Sequence, residues 1–483
     1  MIADRRSLLL LSLGLCWSCN QDATTDLPPL VRRDMTTEPA PPPPEPESTR
    51  CLQSPQRVGL RIVQDLTLDK NVTINEVAVA RDGNVLVLIA YFGEADVFGE
   101  LKQGPGTAIL KLARADLRVL WRTYFDHAQH GAPALLTPIP GGDMVVGGVA
   151  YSVPGVRQIV SVVQDRDGAV LRSSDPSLDI GGVASLAVNP RGEVAFGGGG
   201  GAHGGGIRGY PATASGFYVS IGKLTPQLGL AWLQAERSVG TGSNSAWVGL
   251  GAGGDVVFSS AFASPFGGSS IAPDGFLGQT ATTGPVLSWV RGLTYSPSDR
   301  YNVPMDARMD RNAAGQVIFG THTVDNGTLR FGERSFKLDG KLWLGMIEGK
   351  EVRWLRSACS GDSNIDALRA TADGGAVISG PFAGNLDLGG GPPSGSDSAG
   401  SFFVARYGAG GVVRAVTRIA GVRQLTHQPS SAKVFTTMRH LLDYSHVAPD
   451  GEDVLVSVFY STGLDSYVTR LLRLTPDGVP LGG

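Results

Sequence analysis

The chain has 483 residues, enough for one large repetitive domain or for two to three ordinary ones. It contains 67 glycines and 30 prolines but only 18% charged residues, which favours turns and short strands over long amphipathic helices. Lysine and arginine number 41 against 44 aspartates and glutamates, with no basic block to hold a phosphate backbone, so we expect no nucleic-acid partner.

The first 19 residues have the layout of a bacterial lipoprotein signal. An arginine pair is followed by an apolar run that ends at Leu15 and is too short to span a bilayer. In the signals that this segment resembles, a small residue precedes the lipidated cysteine; Cys19 after Ser18 fits that pattern better than Cys16 after Leu15. The resemblance implies a lipid-anchored protein of the bacterial cell envelope, on the outer membrane or at the cell surface. The alternative, an ordinary secretory signal, also places the mature chain outside the cytoplasm.

Residues 20–50 are rich in proline, threonine and acidic residues, and they contain almost no β-branched apolar residue. Such a stretch cannot bury a core, so it predicts a disordered, partly extended polyproline linker. Residues 51–483 then form the folded domain that this linker holds away from the membrane.

One unit recurs through the folded domain, and a glycine-containing polar turn before a β-rich run marks it. In the clearest copy, Asp373-Gly374-Gly375 precedes an apolar run, and a glycine-rich loop, a second run, a short turn and a third run follow. The marker glycines are Gly83, Gly142, Gly192, Gly254, Gly315, Gly374 and Gly451. Four short strands per unit predict antiparallel meanders, and this repeat length predicts an all-β, seven-bladed β-propeller.

The units are similar to the seven-bladed propeller repeats of secreted and surface bacterial proteins. The first unit matches that pattern through Asp82-Gly83-Asn84 and Ala108–Leu112, and the sixth through Leu388-Gly389-Gly390 and Phe402–Tyr407. Because members of that family share no common ligand, the resemblance implies a fold and not an activity.

Two further features refine this architecture. A tryptophan recurs late in four units, as Trp121, Trp232, Trp289 and Trp354, which indicates packing between neighbouring sheets. The β-rich run at residues 57–65 belongs to no unit of its own, and the last unit ends before its outer strand. Since a ring leaves no open sheet edge, we expect residues 57–65 to complete the last blade.

The long loops should gather on one face, because the turns on the opposite face are short. The candidate ligand-binding residues on this loop-rich face are Asp126, His127, His130, His203, Asp299, Arg300, Tyr301 and Asp362. The link before the seventh unit adds His427, His440 and His446, and Gly197–Gly206 is interpreted as a loop of the third unit.

No motif in the chain demands a metal or a cofactor, and we expect none. Asp126, His127 and His130 have ligand chemistry, but their spacing belongs to no dedicated site, so a solvated loop is preferred. Asp165–Gly168 begins like a calcium loop but lacks the later glutamate, which favours a β-turn. Cys51 and Cys359 remain after processing; strand order assigns them to different sectors and opposite faces, which argues against a disulfide.

Two functions from different classes remain open, with a structural spacer as a third possibility. The leading hypothesis is a binding or scaffold module that takes a protein or a glycan through its loop-rich face. The alternative is a glycan hydrolase or lyase with its site in the central channel, which requires paired acids near the inner strands. Asp306, Asp310 and Asp366 are the inner-strand acids considered, and they are few and evenly spread.

Overall fold

In the computed structural model, the chain divides into two units, Met1–Pro43 and Pro44–Gly483, and every described residue belongs to the second. The structure describes residues 47–48, 58–125, 133–147, 159–175, 182–200, 218–237, 246–261, 275–296, 307–322, 327–338, 342–358, 360–388, 401–419, 444–463 and 466–480.

The described residues form strands joined by turns, and they contain no helix. The strands of the first half are β1 (Glu47–Ser48), β2 (Val58–Thr67), β3 (Val72–Val79), β4 (Val85–Tyr91), β5 (Ala95–Asp96), β6 (Leu101–Lys102), β7 (Gly106–Leu112), β8 (Val119–Phe125), β9 (Leu135–Pro138), β10 (Met144–Gly147), β11 (Ser161–Val163), β12 (Val170–Ser173), β13 (Gly182–Val188), β14 (Val194–Gly200), β15 (Tyr218–Leu224), β16 (Leu230–Arg237) and β17 (Ala246–Leu250). Those of the second half are β18 (Val256–Ala261), β19 (Gly275–Thr280), β20 (Leu287–Ser296), β21 (Arg308–Arg311), β22 (Val317–His322), β23 (Thr328–Phe331), β24 (Arg334–Lys337), β25 (Leu342–Glu348), β26 (Glu351–Ser357), β27 (Ser360–Ser363), β28 (Ala367–Ala370), β29 (Ala376–Asp387), β30 (Ser401–Tyr407), β31 (Val413–Ile419), β32 (Tyr444–Asp450), β33 (Asp453–Gly463) and β34 (Ser466–Pro480).

Four-stranded antiparallel meanders follow one another along this part of the chain, and we label them blades 1 to 7 in order. Blades 1 to 4 are β3-β4-β7-β8, β9-β10-β11-β12, β13-β14-β15-β16 and β17-β18-β19-β20. Blades 5 to 7 are β21-β22-β25-β26, β28-β29-β30-β31 and β32-β33-β34-β2. All seven marker glycines lie in the turn between the first and second strands of a blade, at positive φ. The repeat unit predicted from the sequence is therefore the unit of the fold.

The first strands of the blades lie side by side in chain order. Contacts join β3 to β9, β9 to β13, β13 to β17, β17 to β21, β21 to β28 and β28 to β32, and β32 contacts β3 again. Radial sheets whose first strands meet around an axis define a β-propeller. The first strands are thus its inner strands, and the propeller predicted from the sequence is present.

The segment that follows the proline-rich linker forms an outer strand beside the carboxy-terminal strand. β2 pairs antiparallel with β34 from Val58 to Thr67, which is the position expected for residues 57–65. The same strand also makes a short parallel contact with β31 of blade 6. Across this junction, the Thr469 hydroxyl donates to the carbonyl of Val72 at 2.6 Å, which links blade 7 to blade 1.

Short additional strands extend two blades. The hairpin β23–β24 pairs with β20, the outer strand of blade 4, and β1 pairs parallel to β24. β1 lies within the predicted linker, so the end of that linker is held against the hairpin. β27 pairs with the extended end of β29 in blade 6.

The tryptophans pack between blades, as the sequence indicated. The Trp121 indole N–H donates to the carbonyl of Asp165 in blade 2 at 2.9 Å. Trp354 lies under the last turn of blade 6, where a Cβ at Gly411 would come 2.7 Å from the indole. The contact leaves no room for a side chain, so the glycine and the tryptophan of adjacent blades fit as a pair.

Buried cations at one repeated position in the third strand of a blade hold adjacent blades together. Lys111, Lys223 and Arg406 are each no more than 6% exposed. Lys111 forms an ion pair with Asp165 of blade 2 at 2.9 Å, and Lys223 donates to the carbonyl of Gly254 in blade 4 at 3.1 Å. Arg406 donates to the equivalent turn of blade 7 at 2.6 Å. These cations are therefore structural, and they join turns on the face opposite the one predicted to carry the long loops.

Two adjacent glycines allow a direct test of the packing between blades 5 and 6. Gly410 and Gly411 both have positive φ, of 82° and 75°, but only a Cβ at Gly411 would meet Trp354. We expect Gly410→Ala to cost the conformational strain alone, about 1 kcal/mol, and Gly411→Ala to cost about 2–3 kcal/mol because the indole must move. Urea denaturation of both variants measures the difference. Equal losses would contradict the packing.

The structure corrects the interpretation of the glycine-rich segment at residues 197–206. Gly197–Gly200 belong to β14; the first three pair with both β13 and β15, and Gly200 pairs with β15. A Cβ at Gly197 would lie 2.4 Å from the carbonyl oxygen of Ala246, and one at Gly198 would lie 1.8 Å from that of Gly182. Glycine is required here for close backbone approach and not for a loop. The remaining residues of the segment, 201–206, lie outside the described part.

None of the described residues forms a helix with the length and hydropathy needed to cross a bilayer. The predicted signal and Cys19 lie outside the described residues, as do Cys51 and Cys359.

Candidate functional site: an ionisable cluster at the inner strands

The inner strands present two layers of side chains, which the strand register defines. Each residue of the upper layer pairs with the residue four positions after the one that closes the turn between the first and second strands. The upper-layer residues are Glu76, Leu135, Ser185, Trp247, Arg308, Ala367 and His446. The lower layer lies two residues nearer the turn and contains Ala78, Thr137, Ala187, Gly249, Asp310, Arg369 and Ala448. Because residues two apart share one face of a strand, both layers are presented in the same direction.

That direction is towards the next blade of the ring. The Ser185 hydroxyl donates to the carbonyl of Ala246 at 2.9 Å, and the Thr137 hydroxyl donates to that of Leu186 at 3.4 Å. The lower layer lies next to the short turns, so the upper layer is nearer the opposite face, which is predicted to carry the long loops.

Ionisable side chains occupy one arc of these layers, from blade 5 through blades 6 and 7 to blade 1. The positions in blades 2 and 3 are filled by Leu135, Thr137, Ser185 and Ala187, which carry no charge. The arc is therefore chemically distinct from the rest of the ring. We call Glu76, Asp310, Arg369 and His446 the inner-strand cluster.

Glu76 is the centre of the inner-strand cluster. It is 6% exposed. Arg369 Nη2 lies 2.9 Å from its Oε2, and His446 Nδ1 lies 3.5 Å from its Oε1. The three residues come from blades 1, 6 and 7, so Arg369 reaches past the inner strand of blade 7. The small Ala448 occupies the lower layer of that intervening strand.

Asp310 joins blade 5 to the cluster through backbone hydrogen bonds. Its Oδ2 accepts from the Ala370 N–H at 2.8 Å, and its Oδ1 accepts from the Arg311 N–H at 2.8 Å. Ala370 follows Arg369 in β28, so the carboxylate and the guanidinium are held by adjacent residues. Asp310 therefore has a structural role that is independent of any ligand.

The electrostatics shift the pKa values of the two acids of the cluster in opposite directions. Burial opposes ionisation of Glu76, but Arg369 and His446 outweigh it and lower the pKa of this carboxyl. Burial raises the pKa of Asp310, and the negative Glu76 adds to that rise, against the opposing effects of Arg369 and the two backbone N–H groups. The attraction of Glu76 in turn raises the pKa of Arg369. One acid is thus held ionised, while its neighbour is protonated more readily than usual.

An aromatic side chain lies at the end of the arc. The Arg308 guanidinium carbon lies 4.0 Å from the ring centroid of Trp247, in the geometry of a cation–π contact. Both residues belong to the upper layer. The layer therefore contains, in ring order from blade 4, an aromatic ring, a guanidinium, a methyl group, an imidazole and a carboxylate.

Solvent reaches the cluster although protein surrounds it. The side chains of Arg369 and His446 are 34% and 23% exposed, while that of Glu76 is 7% exposed. Among the described residues, no group of three or more histidine, cysteine, aspartate or glutamate side chains is arranged to hold a metal ion.

Most of the site residues predicted from sequence cannot be placed. Asp126, His127, His130, His203, Asp299, Arg300 and Tyr301 lie outside the described residues. Asp362 lies on β27, opposite Ala383 of β29. Asp306 also lies outside the described part, and Asp366 directly precedes β28.

The structure corrects the assignment of His446, which the sequence analysis placed in the link between units. It lies on β32, the inner strand of blade 7, opposite Ser457. The link was drawn too long, because His446 lies five residues before Gly451, the spacing that also separates the inner-strand residues Asp310 and Arg369 from their marker glycines. By sequence spacing, Asp306, Asp310 and Asp366 are few and evenly spread, but Arg369 and Glu76 both act on the ionisation of Asp310.

Comparisons with known proteins give a fold-level likeness. No protein-family model matches the chain, and no curated protein matches it. Among solved structures, the Dos1 propeller matches 86% of this chain and 95% of its own at 9% identity, with a TM-score of 0.41. The polysaccharide lyase Uly1 covers 84% of this chain and 90% of its own at 10% identity, with a TM-score of 0.38. A PL25 ulvan lyase bound to -[GlcA(1-4)Rha3S]- covers 85% and 96% at 12% identity, with a TM-score of 0.40.

The ionisation of Glu76 makes a stability prediction. The folded pKa of Glu76 lies below its ordinary value of 4.5. Ionised Glu76 therefore stabilises the fold above about pH 4.5, and this contribution is lost as the pH falls through the folded pKa. Asp310 acts in the opposite sense, because its raised pKa favours the protonated folded state at low pH. We therefore expect the stability advantage of the wild type over Glu76→Gln to shrink between about pH 6 and about pH 3.

Urea denaturation at several pH values measures this difference. Glu348→Gln is the matched control, since Glu348 pairs with Arg353 at the surface, where the two side chains are 48% and 55% exposed. An advantage that stays constant for Glu76→Gln over this range would contradict the assigned ionisation.

Proposed function

We propose that this chain is a lipid-anchored, extracytoplasmic, seven-bladed β-propeller. In this proposal it acts as a binding module for a glycan or a protein, and the ligand enters from the loop-rich face towards the central channel. The inner-strand cluster is the observation that carries the proposal, because it brings ionisable side chains from four blades together at the inner strands.

A purely structural core does not need such a cluster. Burying charges costs several kcal/mol per ion before pairing offsets it, and apolar residues of similar volume often stabilise a fold as well or better. Buried, mutually perturbed ionisable groups that solvent still reaches mark candidate functional sites.

Seven blades with a shared closure are the best account of the strand order. The inner strands contact one another in a cycle that returns to β3, and β2 supplies the fourth strand of blade 7. His446 of blade 7 faces Glu76 of blade 1, as each inner strand faces the next.

Lipid anchoring rests on the sequence of the first 19 residues. We expect Cys19→Ser to release the protein from the membrane fraction of a bacterial host, whereas Cys16→Ser leaves it membrane-bound. Mass spectrometry of the mature amino terminus then identifies the modified residue. Loss of anchoring in Cys16→Ser alone would assign lipidation to Cys16 instead of Cys19.

A glycan array and a pull-down from envelope extracts test ligand binding with the full-length chain. Glu76→Gln and Arg369→Gln test the cluster, while Asp126→Asn and His130→Ala test the predicted loop site. Loss of ligand capture in both cluster variants supports a binding site in the channel. Loss of capture in the loop variants alone restricts the ligand to the loops. Absence of any glycan or protein ligand overturns the proposal and favours a spacer.

A glycan hydrolase or lyase is the second candidate, and the separation of the two acids' ionisation favours it. Acid–base catalysis on sugars requires one ionised and one protonated carboxyl, and the pKa of Glu76 is lowered while that of Asp310 is raised. Incubation with acidic and neutral polysaccharides distinguishes the outcomes. New reducing ends without unsaturation indicate hydrolysis, and a conjugated double bond indicates elimination; either must be lost in Glu76→Gln.

A further inference from the structure

The strand β24 has one edge that is only partly covered. Along one side it pairs with β23 over all four of its residues, from Arg334 to Lys337. Along the other side, which we call the outer edge, it pairs with β1 at Phe336 and Lys337 alone, in parallel orientation. Backbone N–H and C=O groups along an open strand edge pair with an added strand. The outer edge therefore has room for a longer strand than the two described residues of β1.

Contacts that do not involve β1 hold this edge in place. Phe336 and Leu338 are 3% and 1% exposed, and they belong to the core between blades 4 and 5. Arg334 Nη1 donates to the carbonyl of Val352 in β26 at 2.6 Å. The Leu338 N–H donates to the carbonyl of Gly327 at 2.7 Å. Because the acceptor strand is already ordered, a docking segment bears only its own loss of conformational freedom.

Residues 44–50 of this chain have charges that complement those of β24. This strand carries two cations and no acidic residue, whereas the segment contains Glu45 and Glu47. The parallel register pairs Glu47 with Phe336, so the same register continued by two residues places Glu45 opposite Arg334. Positions 45 and 47 share one face of an extended strand, as Arg334 and Phe336 do in β24. Opposite charges facing each other on adjacent strands attract, which favours this register.

Two prolines suit the same segment to the last position in a sheet. Pro44 and Pro46 alternate with the two glutamates, so both missing N–H groups lie along one edge of an extended segment. With that edge towards solvent, the N–H groups of Glu45 and Glu47 face β24. Proline on the outward edge also prevents a further strand from pairing there. The segment therefore closes the edge that β24 leaves open.

We propose that the outer edge of β24 is a strand-acceptor site and that its occupant is residues 44–50 of the same chain. The segment docks parallel to β24 in the register of β1, with Glu45 opposite Arg334. This docking is independent of the proposed ligand and of the proposed lipid anchor. In a chain anchored as proposed, a pull on the amino terminus acts on β24 before it reaches β2, the strand that closes the ring.

Disulfide trapping in the full-length chain tests the register. The four native cysteines are replaced by serine, so that only an engineered pair reacts. Ser48 is opposite Lys337, and Ser48→Cys/Lys337→Cys should form an intrachain disulfide on mild oxidation. Ser48→Cys/Ser335→Cys is the matched control, because Ser335 lies on the same face of β24 but two residues out of register. We expect at least about ten-fold more cross-linked chain for the Lys337 pair, since only directly opposite residues lie within disulfide reach.

Hydrogen exchange tests whether the charges hold the segment. In the wild type we expect the amides of Glu47 and Ser48 to exchange at least about ten-fold more slowly than in a free peptide of residues 34–50. Glu45→Lys/Glu47→Lys should remove this protection, because the reversed charges repel Arg334. Glu38→Lys is the matched control in the linker outside the segment, and it should leave the protection unchanged. Thermal melts confirm that the propeller is folded in each variant.

Four results would overturn the proposal. Equal cross-linking of the two cysteine pairs, or none in either, would mean that the segment does not dock in this register. An interchain disulfide would assign the edge to a second copy of the chain. Unprotected amides in the wild type would leave the edge to another partner. Protection that survives the charge reversal would exclude the pairing of Glu45 with Arg334.

Discussion

Replacing Arg369 by leucine is expected to destabilise the propeller by about 3 kcal/mol, because Glu76 then keeps its charge in a buried position without its main partner. The carboxylate side chain is 7% exposed, and the guanidinium lies 2.9 Å from it. This figure is the low end of the cost of breaking a buried pair, since solvent reaches about a third of Arg369 and weakens the attraction. Urea denaturation at neutral pH measures the loss.

The double variant Glu76→Leu/Arg369→Leu distinguishes an ion pair from simple packing. Removing both partners takes away the unpaired charge, so we expect the double variant to recover most of the stability that the single variant loses. Arg353→Leu is the surface control; Arg353 and Glu348 are 55% and 48% exposed, and their pair should contribute less than about 1 kcal/mol. Additive losses in the double variant would show that the two side chains act independently.

The sequence predicts the repeat well because its signals are local. A turn that needs positive φ requires glycine at the same place in each unit, so Gly83, Gly374 and the other marker glycines are visible without knowledge of the fold. Trp121 and Trp354 are visible for a similar reason, since one large side chain fills the same space between blades. The closing strand β2 is predicted from topology, because a ring must pair both of its ends.

The inner-strand cluster was missed because it depends on the register between distant strands. Glu76, Asp310, Arg369 and His446 lie on four strands that are far apart in the sequence, so no local pattern indicates that they are partners. Counting back from the marker glycines places His446 five residues before its glycine, as it does Asp310 and Arg369. The structure assigns His446 to the upper layer instead.

The reason is the turn of blade 7. There Asp450 pairs directly with Asp453, so Gly451 opens a two-residue turn. In blade 1 the turn is longer, since the Ala80 N–H donates to the carbonyl of Asn84 around it. A spacing rule taken from the other blades therefore shifts His446 by two residues. Pairing register, which the sequence does not state, is needed to bring His446 opposite Glu76.

Removing residues 1–67 is expected to abolish cooperative unfolding of the propeller, whereas removing residues 1–43 should leave the melting temperature within a few degrees of the full chain. The first deletion takes away β2, which pairs with β34 along its length and buries Leu60 to 5% exposure. It also removes Asp65, the ion-pair partner of Arg470. The second deletion ends at the boundary between the two units, before any described strand.

The physical reason lies in the edge that the larger deletion exposes. Without β2, the backbone N–H and C=O groups of β34 lose their partners over a long strand, and an exposed strand edge of this kind pairs with other chains. We expect residues 68–483 to aggregate at micromolar concentration, with addition of a peptide of residues 58–67 raising the soluble fraction. Calorimetry and light scattering measure both effects. A monomeric 68–483 fragment that melts like the 44–483 fragment would mean that blade 7 closes the ring without β2.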